Sequence, residues 1–413
     1  MSRRVVITGL GAVTAAGVGV KDFWQALRDG VSGIGPITRF DASPYQCRVA
    51  AEVGDFEPRQ FMSPKLAATT NRFSQLGVAA ARLAYEDAGL AGVPRASRFP
   101  ACFASSTTAI AEFQGAIEQS VEGGPSHLSP SVVLEAIGSA ATNHIVAELG
   151  LTGQPMTLAS GCAAGLDVIQ WACGEIQAGR TVGVVGGASD APLSTAIHRT
   201  WSALGWLSQW PGSPAQALRP FDAASTGTVL GEGAGAYILE DLEHARARGA
   251  RMYAEVLGYG DGSLGLHPEA PDPTTASLEN ALRAVLRSSR LDPAEVDYVN
   301  THGGGVPRQD RGETEAYRRV FGRHAYNIPV SSTKPITGNP FSASGPLQVI
   351  AGCFALSEQV VPATLNLDVP DSACDLDYVP NRSRAARVNR VLIATRAIGP
   401  TYSAIILGQA PGH

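Results

Sequence analysis

Four side chains in this sequence have the types and settings that acyl chemistry needs. In "PMTLASGCAAGLDVIQWACGEIQAG" (residues 155–179) a β-branched run meets Ser160-Gly161-Cys162, after which Leu166, Ile169, Cys173 and Ile176 recur on one helical face. Cys162 therefore falls on a sharp strand-to-helix turn, with Gly161 and the small Ala163, Ala164 and Gly165 leaving room around it. Such a turn exposes a thiol at the positive end of a helix and is expected to lower its pKa. Converging backbone N–H groups there could hold a developing oxyanion. A buried cysteine in a tight turn is the plainer reading, and Cys173 on the core face is its example. The space around Cys162 favours a nucleophile.

A thiol nucleophile needs polar partners. "YVNTHGGGVPRQDRGETEA" (298–316) ends a strand-like run at His302 beside three glycines, and "NIPVSSTKPITGN" (327–339) delivers Lys334 and Asn339 after another. Ends of α/β strands are where active sites collect. Asparagine can donate a hydrogen bond to a carbonyl, but it carries neither a proton to give nor a charge.

The elements that must position these groups alternate. Short buried strands are expected at 4–11, 156–160, 181–189, 296–303, 327–332 and 390–397. Helices stand between them, one presenting Leu278, Leu282, Val285 and Leu286 on one face. Asp292, Pro293 and Glu295 form a helix-start signature. The alternation predicts an α/β protein with largely parallel, buried sheets. The chain divides near residue 250 into an N-terminal half, 1–250, with the nucleophilic cysteine, and a C-terminal half, 251–413, with the His, Lys and Asn loops. The opening "GLGAVT" gives Gly9 and Gly11 but Thr14 where a dinucleotide fingerprint wants a third glycine, so no nucleotide cofactor is expected.

Composition bounds the function class. The 413 residues are 44% hydrophobic and 17% charged, with a net charge of −5, which argues against nucleic-acid binding. No apolar run approaches a membrane span, and no signal core follows the N-terminal arginines, so a cytoplasmic protein is expected. The six cysteines show no CxxC spacing, and neither a metal site nor a disulfide framework is expected.

With these motifs in view, the whole chain resembles the β-ketoacyl synthases of the thiolase superfamily. The resemblance rests on "VVITGLGAVTAAGVG", "ASGCAAGLDVI", "RPFDAASTGTVLGEGAGAYILE", "VNTHGGGVPRQDRGETEA" and "SSTKPITGN". It implies a five-layered α/β/α/β/α body of two similar halves and a homodimer that takes acyl chains from a carrier protein. It also implies that Cys162 is the nucleophile, His302 the first histidine and Lys334 the lysine. An oxyanion hole would form from the amides of Cys162 and the "AIGPTY" loop (397–402).

The departures cluster. Asn339 stands where a second histidine is expected, Gln348 for a glutamate, Ile398 beside Gly399 for an aromatic gate, Ser225-Thr226-Gly227-Thr228 for Arg-Asp-Gly-Phe, and Gly304 and Val306 for threonines. Thr228, Ile398 and Gly399 are therefore expected to shape substrate binding. Two chemistries follow for a specialised-metabolism enzyme. The reading leans to non-elongating use of an acyl-Cys162, such as an aldol-type cyclisation with His302 as base. The alternative is decarboxylative condensation with a malonyl thioester on a Cys/His/Asn set. A non-catalytic partner subunit of a ketosynthase heterodimer would be expected to lack Cys162, and a thiolase would carry a second cysteine near "AIGPTY". The Trp-rich run at 201–216 is expected to be ordinary packing rather than a channel wall.

Overall fold

The computed structural model describes residues 3–93, 96–123, 131–265, 275–399 and 401–411. Its main strands are β1 (Val5–Thr14), β2 (Ala101–Ala104), β3 (Met156–Leu158), β4 (Gly183–Asp190) and β5 (Gly233–Asp241) in the first half of the chain. The second half has β6 (Ala254–Ser263), β7 (Tyr298–Asn300), β8 (Val330–Ser331), β9 (Arg390–Ala397) and β10 (Thr401–Gln409). They run in the order β8-β7-β9-β10-β6-β1-β5-β4-β2-β3. Only three residue pairs, from Val5↔Val256 to Ile7↔Ala254, join the halves across β1 and β6.

Each half repeats one pattern outward from that seam. β1–β5 and β5–β4 are antiparallel, while β4–β2 and β2–β3 are parallel. β6–β10 and β10–β9 are antiparallel, while β9–β7 and β7–β8 are parallel. The expectation of largely parallel sheets is corrected on this point. Only residues 398–400 separate β9 from β10, which is too short for the crossover a parallel pair needs.

Helices form three layers, one between the strands of the two halves and one outside each. The main helices are α1 (Arg72–Asp87), α2 (Ala164–Gln177), α3 (Ala276–Ser289), α4 (Pro307–Phe321) and α5 (Ser344–Glu358). α2 and α5 share a central core with inward residues of both halves of the sheet, α1 packs the outer face of the N-terminal half, and α3 and α4 pack the outer face of the C-terminal half. Strand periodicity distributes side chains between cores: Val391 and Ile393 enter the central one, Leu392 and Ala394 the outer. Both faces are buried, so these strands read as unbroken apolar runs. This is the five-layered thiolase-like body of two similar halves.

Several sequence features acquire physical reasons. A Cβ at Gly9 or Gly11 would lie 2.2 Å from the Ala84 carbonyl oxygen or 2.0 Å from that of Ala80. The paired glycines thus let α1 lie on β1, and they serve packing rather than a phosphate. The 278/282/285/286 face is buried in α3 as expected. The Asp292/Glu295 capping box is present, but it starts only the short 3-10 turn Pro293–Glu295. The strands expected at 296–303 and 327–332 shrink to β7 and β8, because the ends that carry His302 and Lys334 leave the ladder.

Candidate active site

Cys162 is the middle residue of the 3-10 turn Gly161–Ala163 that leads into α2. Gly161 opens the turn at φ +74°, and a Cβ there would touch the Ala397 Cβ at 3.4 Å. The elbow is thereby seated against the loop that follows β9. Behind it, buried Asp190 accepts hydrogen bonds from the Ser106 and Thr107 amides, the Ser105 hydroxyl and the Ser342 amide, at 2.8–3.1 Å. This cage ties β4 to the turns of both halves.

Two expectations for the thiol are corrected. Cys162 is only 4% exposed, at the floor of a pocket rather than on the surface. Burial, reinforced by the Asp190 charge, pushes the thiol up to about 12, against the opposing pull of Lys334, Ser106 and Arg396. The short helix-start geometry does not overcome the loss of hydration around a thiolate. In the resting protein Cys162 is a neutral thiol.

His302 lies two residues beyond β7 and is buried. The Arg396 backbone N–H donates to its Nδ1 at 3.2 Å, and the Thr395 hydroxyl stands 3.4 Å from the same nitrogen. A backbone N–H can only donate, so Nδ1 is an acceptor and the neutral ring carries its proton on Nε2. Burial, with the charges of Lys334 and Arg396, holds the imidazole well below its ordinary pKa. His302 is a neutral hydrogen-bond donor beside Gly304 in the pocket wall.

Lys334 opens the four-residue helix Lys334–Thr337 and is 1% exposed. It does not line the pocket. Its ammonium sits behind it, near the buried Glu313 and Asp310, and burial lowers it to about 8 while those carboxyls resist. Glu313 accepts from the Gly303 amide at 3.1 Å and from the Thr301 hydroxyl, which braces the His302 loop. Burial raises the pKa of both carboxyls. Gln348 is bound elsewhere: its Nε2 donates to the Asn300 side chain at 3.0 Å and to the Thr301 carbonyl at 2.9 Å, joining β7 to α5.

Asn339 meets Cys162 and His302 in the pocket. Its backbone is pinned on both sides, donating to the Val229 carbonyl at 2.8 Å and accepting from Gly231 at 3.0 Å. Its Oδ1 is buried and has no partner among the described residues. Thr228 also lines the pocket, with its hydroxyl unpartnered among the described residues. The Ser225 hydroxyl donates to the Gly305 carbonyl at 2.6 Å, tying this altered loop to the His302 loop. Ile398 is 48% exposed at the pocket rim, whereas Gly399 is buried at φ +87° and does not line the pocket. Pro400 of the same loop lies outside the described residues.

Some lining residues were not anticipated. Trp201 and Trp206 meet edge-on at 5.2 Å, Trp201 meets Phe341 at 5.0 Å, and both tryptophans line the pocket. The reading of this run as ordinary packing is corrected for those two. Trp210 is a packing residue, stacked under the Arg219 guanidinium at 4.5 Å. Arg396 and Gln309 complete the wall. The signal for Arg396 was in the sequence: a second cation, after Arg390, at the far end of the buried strand "RVLIATRA".

Two adjoining family profiles match this chain, "Beta-ketoacyl synthase, N-terminal domain" over residues 2–245 and "Beta-ketoacyl synthase, C-terminal domain" over residues 253–368. The chain belongs to the β-ketoacyl synthase family. The synthase is 35% identical to the 3-oxoacyl-[acyl-carrier-protein] synthase 2 of Coxiella burnetii, over 98% of this chain and 99% of that one. It is 36% identical to the granaticin polyketide putative beta-ketoacyl synthase 1 of Streptomyces violaceoruber, over 98% of each. Among solved structures, the ishigamide ketosynthase/chain length factor superposes with a TM-score of 0.93 at 31% identity, covering 99% of this chain and 100% of that one. The synthase is a condensing-type acyltransferase, similar to the ketosynthases of fatty-acid and polyketide assembly. No helix among its described residues is long and apolar enough to cross a membrane.

Proposed function

We propose that this synthase performs decarboxylative Claisen condensation: Cys162 accepts an acyl group from a carrier-protein thioester and a malonyl-type thioester extends it. The observation that carries this choice is the Arg396 N–H bound to His302 Nδ1. An aldol-type cyclisation needs a base to remove a proton from carbon. His302 has Nδ1 occupied by a donor and Nε2 already protonated, and burial opposes its becoming an imidazolium. Loss of CO₂ leaves a carbanion without any base, so it suits a site whose polar groups are donors. This reverses the leaning drawn from the sequence alone.

The Cys162 sulfur attacks the acyl carbonyl carbon, and its proton leaves with the carrier thiol as the carrier C–S bond breaks. The malonyl thioester then enters, with its carbonyl oxygen accepting from His302 Nε2–H and from the Asn339 amide. Cleavage of the carbon–carboxylate bond releases CO₂ and passes its electron pair into the enolate that these two donors stabilise. The enolate carbon attacks the Cys162 acyl carbonyl, whose oxyanion would be held by the amides of Cys162 and the Ala397–Gly399 turn. Collapse expels the Cys162 sulfur, which takes a proton from water that enters as the product leaves. Asn339 supplies a hydrogen bond where an imidazole would, and no step asks it to carry a proton.

A carrier protein as acyl donor is supported by the name of the Coxiella burnetii relative. A paired assembly is supported by the ketosynthase/chain length factor neighbour, whether the second subunit is another copy or a homologue. The test is CO₂ release from a malonyl thioester by the Cys162-acylated enzyme, with the elongated β-ketoacyl product identified by mass. Acyl loading without CO₂ release or a longer product would overturn the reading and return the non-elongating one.

A further inference from the structure

Arg396 is half-buried in the wall that also holds Cys162, His302, Gly304, Gln309 and Asn339. Among the described residues no carboxylate pairs with its guanidinium. Other half-buried or buried arginines of the chain do have carboxylates: Arg72 holds Glu232, Arg219 holds Asp222, and Arg248 holds Glu240. The backbone of Arg396 serves His302, but its side chain is a cation in the wall of the reaction space, and its guanidinium makes no hydrogen bond among the described residues. Next to it the wall is cut back, since a Cβ at Gly304 would stand 3.2 Å from His302 Nε2 and 3.8 Å from Gln309 Oε1.

We propose that Arg396 is a specificity-determining residue that recognises a carboxylate carried by the thioester substrate. A guanidinium presents a planar fork of donors that matches a carboxylate bidentately. A neutral chain filling the same pocket would strip water from the cation and return nothing, so the site rejects it as well as attracting the anion. The carboxylate has two sources: a malonyl-type extender, or the far end of the acyl group delivered to Cys162. Only the first rests on the condensing reading above.

The test uses pantetheine amides, with nitrogen in place of the thioester sulfur so that neither acyl transfer nor condensation can intervene. Binding is measured by calorimetry for malonyl against propionyl and for glutaryl against valeryl. Wild type should favour the carboxylated member of at least one pair by about tenfold or more. Arg396→Gln should abolish that preference, and Arg396→Lys, which keeps the charge without the fork, should retain only part of it. A preference in the malonyl pair assigns the extender, and one confined to the glutaryl pair assigns the acyl chain. No preference in either pair, or a preference unchanged in either variant, would overturn the proposal. A synthase that releases no CO₂ would leave this binding result intact, so the two readings fail separately.

Discussion

Gly161 and Phe341 hold the same left-handed backbone at corresponding turns, φ +74° and +47°, and each opens a three-residue 3-10 turn that runs into a helix of the central layer. The two helices meet closely there: a Cβ at Gly165 would stand 2.3 Å from the Ser342 carbonyl oxygen. Cys162 in one half therefore matches Ser342 in the other. The Ser342 hydroxyl is spent on Asp190, while Cys162 faces the pocket. The same turn has become a nucleophile elbow in one half and a brace for it in the other.

Phe341 shows that a side chain is tolerated at this angle where packing over-determines it, so Gly161→Ala should still fold. It should cost about 1–3 kcal/mol of strain, since the new side chain is held at φ +74° while its methyl only reaches van der Waals contact with Ala397 at the oxyanion loop. Acyl loading of Cys162, followed by intact-protein mass spectrometry, should slow about 100-fold through misplacement of the reacting sulfur. An unchanged loading rate would show that the elbow does not set the geometry.

The buried thiol has a pH signature. With Cys162 pushed up to about 12, its thiolate fraction grows about tenfold for each pH unit below that value. Iodoacetamide alkylation of Cys162 should therefore rise log-linearly from pH 6 to about 7.5, below the value of about 8 at which Lys334 gives up its charge. Lys334 pulls the thiol pKa down, so Lys334→Met should slow alkylation at every pH in that range. A plateau near neutrality in wild type would mean that an ion pair, absent from this arrangement, forms the thiolate.

Donor and base roles for His302 separate by substitution. Glutamine keeps an N–H donor but cannot take a proton at that end, so His302→Gln should retain CO₂ release within about tenfold of wild type, whereas His302→Ala should lose about 10²–10³. Asn339→Asp replaces the amide donor with an acceptor and should fall as far as His302→Ala. Equal collapse of the glutamine and alanine variants would revive a base role for the histidine.

How far the sequence went depended on the range of the physics involved. Cys162, His302 and Asn339 were legible because strand ends, glycines and a helix start are local signals, and the structure brings these three into one pocket. The thiol's upward shift was not legible, because burial is summed over both halves of the chain. The paired GLG was legible only as a partial motif, since its reason, the carbonyls of Ala80 and Ala84, lies seventy residues away. Arg396 was visible as an oddity in a buried strand, but its meaning depends on which face of β9 meets the pocket.

Gln348 carries the last prediction. From the sequence it read only as a residue standing where a glutamate is expected, but its Nε2 donates among the Asn300, Thr301 and Ala394 carbonyls at 2.9–3.3 Å and binds β9, which bears Arg396, to the strand that leads into His302. Gln348→Glu would aim a carboxyl at these acceptors, where only its protonated form can donate. Burial beside carbonyl oxygens raises that carboxyl's folded pKa above its ordinary value near 4.3. Between the two values the folded state binds more protons than the unfolded one, so stability falls as pH rises through this window. Thermal midpoints measured from pH 5 to 8 should drop for Gln348→Glu relative to wild type, with the gap widening toward pH 8. A constant gap would show that the new carboxyl is ionised throughout and that its partners have moved to accommodate it.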